Sequence, residues 1–406
     1  MRLLNVDTLE IKTYNEHDVP PYAILSHTWG PDEVTFQEIC MITRMRSVSQ
    51  ALSSRATSNI SDGSEHSGTM LAVMEMLAQG TWGASLGIPN TDEDALMRRE
   101  GYRKIVYSAN EARRLGYSWI WIDTCCIDKT SSAELQESIN SMYKWYKGSG
   151  VCLVYLEDTM REMIVNSQLA PRAVINPFQD CRWISRGWTL QELVAPTSLR
   201  FYYKDWTLMG DKRDFLEELY EATYIPIFVL DTGDLSELSV AQRMSWASYR
   251  QTTRVEDSAY CLLGIFDIQM PLLYGEGPKA FIRLQEEILK TTDDYSLFAW
   301  QAVSTYSQPV LKSVYRGLFA RSPLEFCYCR FVERDNTTST FPISATTIGL
   351  HLQFELLIDQ TDKTRFLAFI RCNGAMNRRL AIYLKCLDGG SQYARVDAGS
   401  IIPVSN

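Results

Sequence analysis

The sequence predicts an α/β fold built on a mostly parallel sheet with flanking helices, followed by a helical region and a β-rich C-terminal domain. Three observations carry that prediction. Short, nearly continuous apolar runs (Tyr22-Ala23-Ile24-Leu25, Trp119-Ile120-Trp121-Ile122 and Val151-Cys152-Leu153-Val154-Tyr155-Leu156) alternate with helical patterns, as strands buried on both faces of a parallel sheet do. Polar residues gather where each run ends: Ser26 and His27, then Asp123, then Glu157 and Asp158. Beyond Tyr295 the apolar runs alternate or cluster in the manner of an antiparallel sheet. The boundaries that follow are 1–205 for the α/β domain, 206–294 for the helical region and 295–406 for the β-rich domain.

In chain order, Met1-Arg2-Leu3-Leu4-Asn5-Val6 reads as a leading strand, and a connector closed by Pro20-Pro21 leads into the Tyr22 strand. The cluster Thr28-Trp29-Gly30-Pro31-Asp32 then turns the chain. A helix is expected over 35–46, a mobile Ser-rich insertion over about 47–69, a helical stretch over 70–78, and a helix over 93–115 stopped by Gly116. After the Trp119 strand the residues 128–148 have helical spacing, with Met142, Trp145 and Tyr146 as core. Leu199-Arg200-Phe201-Tyr202-Tyr203 is a fourth strand, and helices are expected over 211–223, 239–249, 256–266 and 278–291. The turn Leu273-Tyr274-Gly275-Glu276-Gly277 precedes the last of these, without the glycine spacing of a Walker or dinucleotide loop. Phe298-Ala299-Trp300, Leu350-His351-Leu352-Gln353-Phe354, Phe366-Leu367-Ala368-Phe369-Ile370 and Leu380-Ala381-Ile382-Tyr383-Leu384 are the expected C-terminal strands.

The chain has 406 residues, ample for two or three domains with a sizeable core. Its formal charge of -9 leaves no basic footprint, which argues against nucleic acid as the main partner. Ten cysteines lie scattered in apolar runs rather than in a disulfide framework, so reduced thiols and a cytoplasmic location are expected. The four histidines are not spaced as paired ligands, and Cys125-Cys126 and Cys327-Tyr328-Cys329 both miss the CxxC spacing, so no metal is expected. Asp7 and Glu10 interrupt the N-terminal apolar stretch, which excludes the usual signal peptide. No apolar run is long enough to span a bilayer.

The candidate working centre is Trp183-Ile184-Ser185-Arg186-Gly187-Trp188-Thr189-Leu190-Gln191-Glu192-Leu193. Ser185 is expected to cap a helix that Pro196 ends, with Leu190, Leu193 and Val194 facing inward and Trp188 and Glu192, four apart, on a neighbouring stripe. Taken alone, Glu192 reads as a solvated carboxylate or a partner of Arg186. In parallel sheets, ligands sit outside the carboxyl ends of the strands, which here hold Ser26, His27, Trp29, Asp123 and Cys126, so all of these are candidates to line one crevice. Each has a structural alternative: packing for Trp29 and Trp188, a backbone hydrogen bond for His27, a turn cap for Asp123, an inert buried thiol for Cys126.

Three runs together resemble the heterokaryon-incompatibility (HET) domain of filamentous fungi: Tyr22-Ala23-Ile24-Leu25-Ser26-His27-Thr28-Trp29-Gly30, Trp119-Ile120-Trp121-Ile122-Asp123-Thr124-Cys125-Cys126-Ile127-Asp128 and Ser185 to Leu193. Lys129 departs from the pattern, where the family often has a nearby glutamine. The resemblance implies a cytoplasmic effector of fungal innate immunity that triggers cell death when incompatible cells fuse, with a homo-oligomer or an upstream receptor as partner. The Trp188-Thr189-Leu190-Gln191-Glu192-Leu193 run is also similar to the Trp-Cys-x-x-Glu-Leu helix of TIR domains, which implies a TIR-like, flavodoxin-like sheet and a catalytic glutamate, Glu192, in NAD+ cleavage. NAD+ would then be a substrate, and no cofactor is implied.

That chemistry suits these residue types. Nicotinamide leaves as a neutral molecule from a cation, so one carboxylate suffices where ordinary glycosidases need two. Glu192 would stabilise the oxocarbenium-like transition state, Trp188 or Trp29 would stack on a ring, and Arg186 would meet the pyrophosphate, with Ser26 and His27 adding hydrogen bonds. Two rival readings stand beside it: a Cys-His hydrolase using Cys125 or Cys126 with His27, and a non-catalytic self-associating signalling module whose Trp188 helix is an interface.

Overall fold

The computed structural model describes residues 1–59, 93–161, 176–303, 315–335, 341, 343–387 and 392–404. The expected helix over 70–78 and the part of the Ser-rich insertion from 60 onward lie outside the described residues. The chain divides into two compact units, Met1–Ser138 with Ser149–Tyr155, and Ile139–Gly148 with Leu156–Asn406.

The first unit is an α/β layer with a sheet that is parallel at its centre. β1 (Arg2–Asn5), β2 (Ile11–Thr13), β3 (Ala23–His27), β4 (Trp119–Trp121) and β5 (Val151–Tyr155) lie in the order β2-β1-β4-β3-β5. β3 runs parallel to both neighbours, with Ala23 opposite Ile120 and Val151 and His27 opposite Tyr155. Every residue of β3 and β5 is buried, which is why both read as unbroken apolar runs. The leading strand instead pairs antiparallel with β4, and β2, unforeseen in the connector, pairs antiparallel with β1.

Two helices differ from expectation. The helix expected over 35–46 spans Phe36–Asn59, so the first part of the Ser-rich stretch is helical; Ala, Leu and Arg between its serines keep helix propensity adequate. The helix expected over 93–115 is two, Glu93–Arg98 and Glu100–Arg114, broken at Arg99. Arg99 is extended, and its guanidinium pairs with Glu38 at 2.6 Å and bonds the Asp32 and Glu33 carbonyls, contacts that an uninterrupted helix would not deliver. Glu100–Arg114 buries Tyr102, Ile105, Ala109 and Ala112 on one face and ends at Leu115, with Gly116 at φ +89° in the left-handed region, as expected of a stop.

In the second unit β6 (Leu199–Tyr202) pairs antiparallel with β7 (Leu208–Asp211) over an aromatic core of Phe178, Trp183, Phe201 and Phe215, with ring centroids 4.8–6.0 Å apart. Short helices follow, among them Val240–Ser245, which starts with a capping box from Ser239 and Gln242, and Lys279–Leu289. The C-terminal region is β-rich. β11 (Glu355–Ile358), β12 (Arg365–Asn373), β13 (Arg379–Cys386) and β14 (Tyr393–Val396) form an antiparallel series, with β8 (Glu333–Arg334) on β12 and β15 (Ile402–Val404) on β13.

β9 (Ser344–Thr346) and β10 (Gly349–His351) form a separate ribbon, so the expected strand over 350–354 is strand only at its start. The expected strand Phe298-Ala299-Trp300 is instead the end of a 3₁₀ turn, Tyr295–Phe298, because the Asp294 carboxylate accepts from the Ser296 amide and closes the turn. Among the described residues no helix is long and apolar enough to cross a membrane. All ten cysteines are free thiols.

Candidate functional site

The residues expected to line a site fall in two groups, one in each unit. In the first unit β3 ends on His27, whose imidazole is buried. Its Nε2 lies 3.6 Å from Glu33 Oε2 and its Nδ1 3.9 Å from Asp123 Oδ1, so two carboxylates flank the ring beyond hydrogen-bond reach. Asp123, the first residue of the Asp123–Cys126 helix, accepts the Trp29 indole N–H at 2.7 Å through its other oxygen. The Lys129 ammonium sits over the Trp29 ring, 3.6 Å from its centroid. Trp29 is 40% exposed, so a held, partly open indole stands beside a buried histidine and its acids.

Glu33 is the hub of this group. It accepts from the Gly30 amide at 2.8 Å and from the buried Lys104 ammonium, which also reaches the Thr28 carbonyl at 3.4 Å. Burial works to raise the Glu33 carboxyl, but His27 and Lys104 beside it outweigh burial and hold it at about 2. Ser26 is fully buried within β3. Cys126 is buried too, its sulfur accepting the Ile122 amide at 3.4 Å. Chemically, the group offers a buried imidazole flanked by two carboxylates without a direct hydrogen bond to either, and the exposed ring face of Trp29.

In the second unit the 181–195 segment forms two short helices, Arg182–Ser185, which was not expected, and Thr189–Val194, which lies within the helix expected from Gly187 to Ala195. The interruption is tertiary: the Gly187 amide donates to the Gln251 carbonyl at 2.8 Å, and the Gln251 amide donates to Ser185 at 2.7 Å. Ser185 does not open the second helix either, because its hydroxyl turns back to the Arg182 carbonyl at 3.0 Å. The inward face is as expected, with Leu190, Leu193 and Val194 fully buried. Glu192 is also buried, at 7% exposure, so the reading as a solvated acid is set aside.

Arg250 holds the junction before this helix, donating to the Arg186 carbonyl at 2.9 Å and to Thr189 Oγ1 at 3.1 Å. Burial pulls the Arg250 guanidinium down to about 10, while Cys261 and Glu192 act in the opposite sense, which puts Glu192 in the field of a buried cation. Burial raises the Asp257 carboxyl, opposed by hydrogen bonds from Tyr274 at 2.9 Å and from the Trp188 indole. The buried Lys212 ammonium closes the helix's far end on the Leu193 carbonyl at 2.7 Å. The amides of Gly275 and Gly277 are filled from within, both donating to Glu256 Oε1 at 2.8 and 3.0 Å.

Glu33, Lys104, Lys212, Arg250 and Asp257 were not singled out from sequence. Asp32-Glu33 directly after the Trp29 turn is a signal for the first, whereas the others meet their partners from 17 to more than 70 residues away, as Lys104 meets Glu33 and Arg250 meets Arg186. No local spacing encodes such pairs.

Residues 22–171 match the family described as Heterokaryon incompatibility protein (HET), and the chain belongs to that family of HET-domain proteins. Among its relatives is "Vegetative incompatibility protein HET-E-1" of Podospora anserina, 39% identical over 273 residues, or 67% of this chain and 16% of the relative. The chain thus spans about a sixth of that protein's length. Residues 279–348 match a domain of unknown function (DUF8212). No solved structure matches the chain. The HET match contains the His27, Trp29 and Asp123 group and ends before Trp188 and Glu192.

Proposed function

We propose that the chain is a cell-death effector of the heterokaryon-incompatibility type, with a TIR-like sheet, and that it cleaves NAD+ at the nicotinamide bond using Glu192. The observation that carries the chemical reading is the burial of Glu192 at the centre of a short helix flanked by Trp188 and the Arg250 guanidinium. A carboxylate kept out of water is preorganised to stabilise a developing oxocarbenium charge, because little solvent must be displaced when the charge appears. Nicotinamide departs without a proton, so no second acid is needed on the leaving side.

The test is nicotinamide release from NAD+ by concentrated purified protein. Glu192→Gln keeps the shape and removes the charge, so the expected loss is about 100- to 1,000-fold, at an unchanged unfolding midpoint. Turnover within threefold of wild type in that variant rejects Glu192 as the catalytic acid. Absence of turnover in wild type across all concentrations rejects the enzyme and supports the self-associating module instead.

A further inference from the structure

Away from Glu192, the C-terminal region carries a cavity of about 400 Å³ that no role described so far uses. Its lining includes the buried side chains of Val332 and Leu380 together with Ile401 and Pro403. Its lip is Tyr328, Phe331 and Met376, which are 66, 64 and 87% exposed. Three large apolar side chains held in water around one opening is a costly arrangement, and exposed apolar groups that converge on a cavity mark binding sites.

A short loop presents Met376. It joins β12 to β13, is closed by the Gly374 amide on the Arg378 carbonyl at 2.8 Å, and places Met376 and Asn377 at φ +60° and +53°. Asn377 adopts left-handed backbone readily, as residues of tight hairpin turns do, whereas it is uncommon for a residue such as Met376. Two polar residues complete the lining, Gln301 and the exposed Arg378. Arg378 has no ion-pair partner among the described residues. A cation left open at the rim of an apolar, aromatic cavity complements an anion attached to a flat apolar body.

We propose that this cavity binds a small aromatic carboxylate, its ring between Phe331, Tyr328 and Met376 and its acid on Arg378. The volume lies within the range of small-molecule sites, about 300–1,000 Å³. The site is independent of NAD+ cleavage, so failure at either leaves the other standing.

The test is titration of the full chain with 2-naphthoate, followed by calorimetry, beside its neutral amide 2-naphthamide and the aliphatic decanoate. Saturable 1:1 binding of 2-naphthoate is expected, tighter than either comparison compound. Arg378→Gln should weaken 2-naphthoate about tenfold and leave 2-naphthamide within twofold, while Phe331→Ala weakens both. Arg378 and Phe331 are surface positions, so unfolding midpoints serve as the control, and Met376→Ala replaces Phe331→Ala if that variant misfolds. Absence of saturable binding, or 2-naphthoate affinity indifferent to both Arg378→Gln and the lip variant, overturns the proposal. Decanoate binding as tightly as 2-naphthoate overturns the aromatic class.

Discussion

Glu33 joins a turn to a helix through its charge. The Gly30 amide and the Lys104 ammonium meet one oxygen, and His27 stands beside the other. Its carboxyl, ordinarily near 4.5, is held at about 2, so the folded protein takes up this proton later than the unfolded chain as pH falls. A depressed folded value means stability that is fully present above about pH 4.5 and is lost as pH drops towards 2. Allowing for solvent screening, the contribution is roughly 2 kcal/mol at neutral pH. Glu33→Gln should therefore be less stable by about that amount at pH 7 and converge on wild type near pH 2. Urea unfolding midpoints across the range decide it: curves that stay parallel would mean the carboxylate contributes nothing specific.

Single residues such as Glu33 were hard to see in advance for a physical reason. Whether a charge is buried depends on which cation the fold brings to it, and Lys104 arrives from a helix 71 residues on. His27 and Asp123 are legible because one ends β3 and the other directly follows the apolar run of β4, positions that pattern alone reveals.

Elements were more legible than sites where burial is two-sided. β3 and β5 are buried at every position, so their apolar runs announce them, and the periodicity of Leu190, Leu193 and Val194 gave the inward face of the Glu192 helix. The interruption before that helix was invisible, since Gln251 imposes it through backbone hydrogen bonds. Glu100–Arg114 makes a similar tertiary demand at Gly101, where an added Cβ would stand 2.7 Å from Glu33 Cα and 2.9 Å from the Val34 amide. Helix propensity alone favours alanine there by about 1 kcal/mol. Backbone atoms cannot swing aside as a side-chain tip can, so the clash wins, and Gly101→Ala should destabilise by about 2–3 kcal/mol. Gly317→Ala, with nothing within 4 Å, is the matched control and should stay within about 0.5 kcal/mol of wild type. Equal midpoints for the two variants would show that the helix can slide off the 32–34 turn at little cost.

At the scale of the whole chain, the β-rich C-terminal region invites the expectation that it is a detachable cover whose removal raises activity. Its bonds within the second unit argue otherwise. The Val240 amide donates to Asp294 at 2.7 Å and the Ala241 amide to Ser296 Oγ at 3.0 Å, so the start of the Val240–Ser245 helix is satisfied by the turn that opens the region. Gln285, fully buried in Lys279–Leu289, exchanges two hydrogen bonds of 2.9 Å with the Ala320 backbone. Arg395 is fully buried under Trp300, 3.8 Å from the ring centroid, and donates to the carbonyls of Phe298 and Trp300. Cutting at Tyr295 would orphan Gln285 and the Ala241 amide and expose the core around Phe281, Leu284 and Ile288, each orphaned polar group costing about 1–3 kcal/mol. Against a typical total stability of about 5–15 kcal/mol, deletion of 295–406 should unfold the second unit rather than release it. Hydrogen exchange gives the measurement: amides of Lys279–Leu289 should lose protection in the truncated chain and keep it in full-length protein. Retained protection with raised nicotinamide release would instead make the region a cover, and the bonds at Gln285 and Ser296 dispensable.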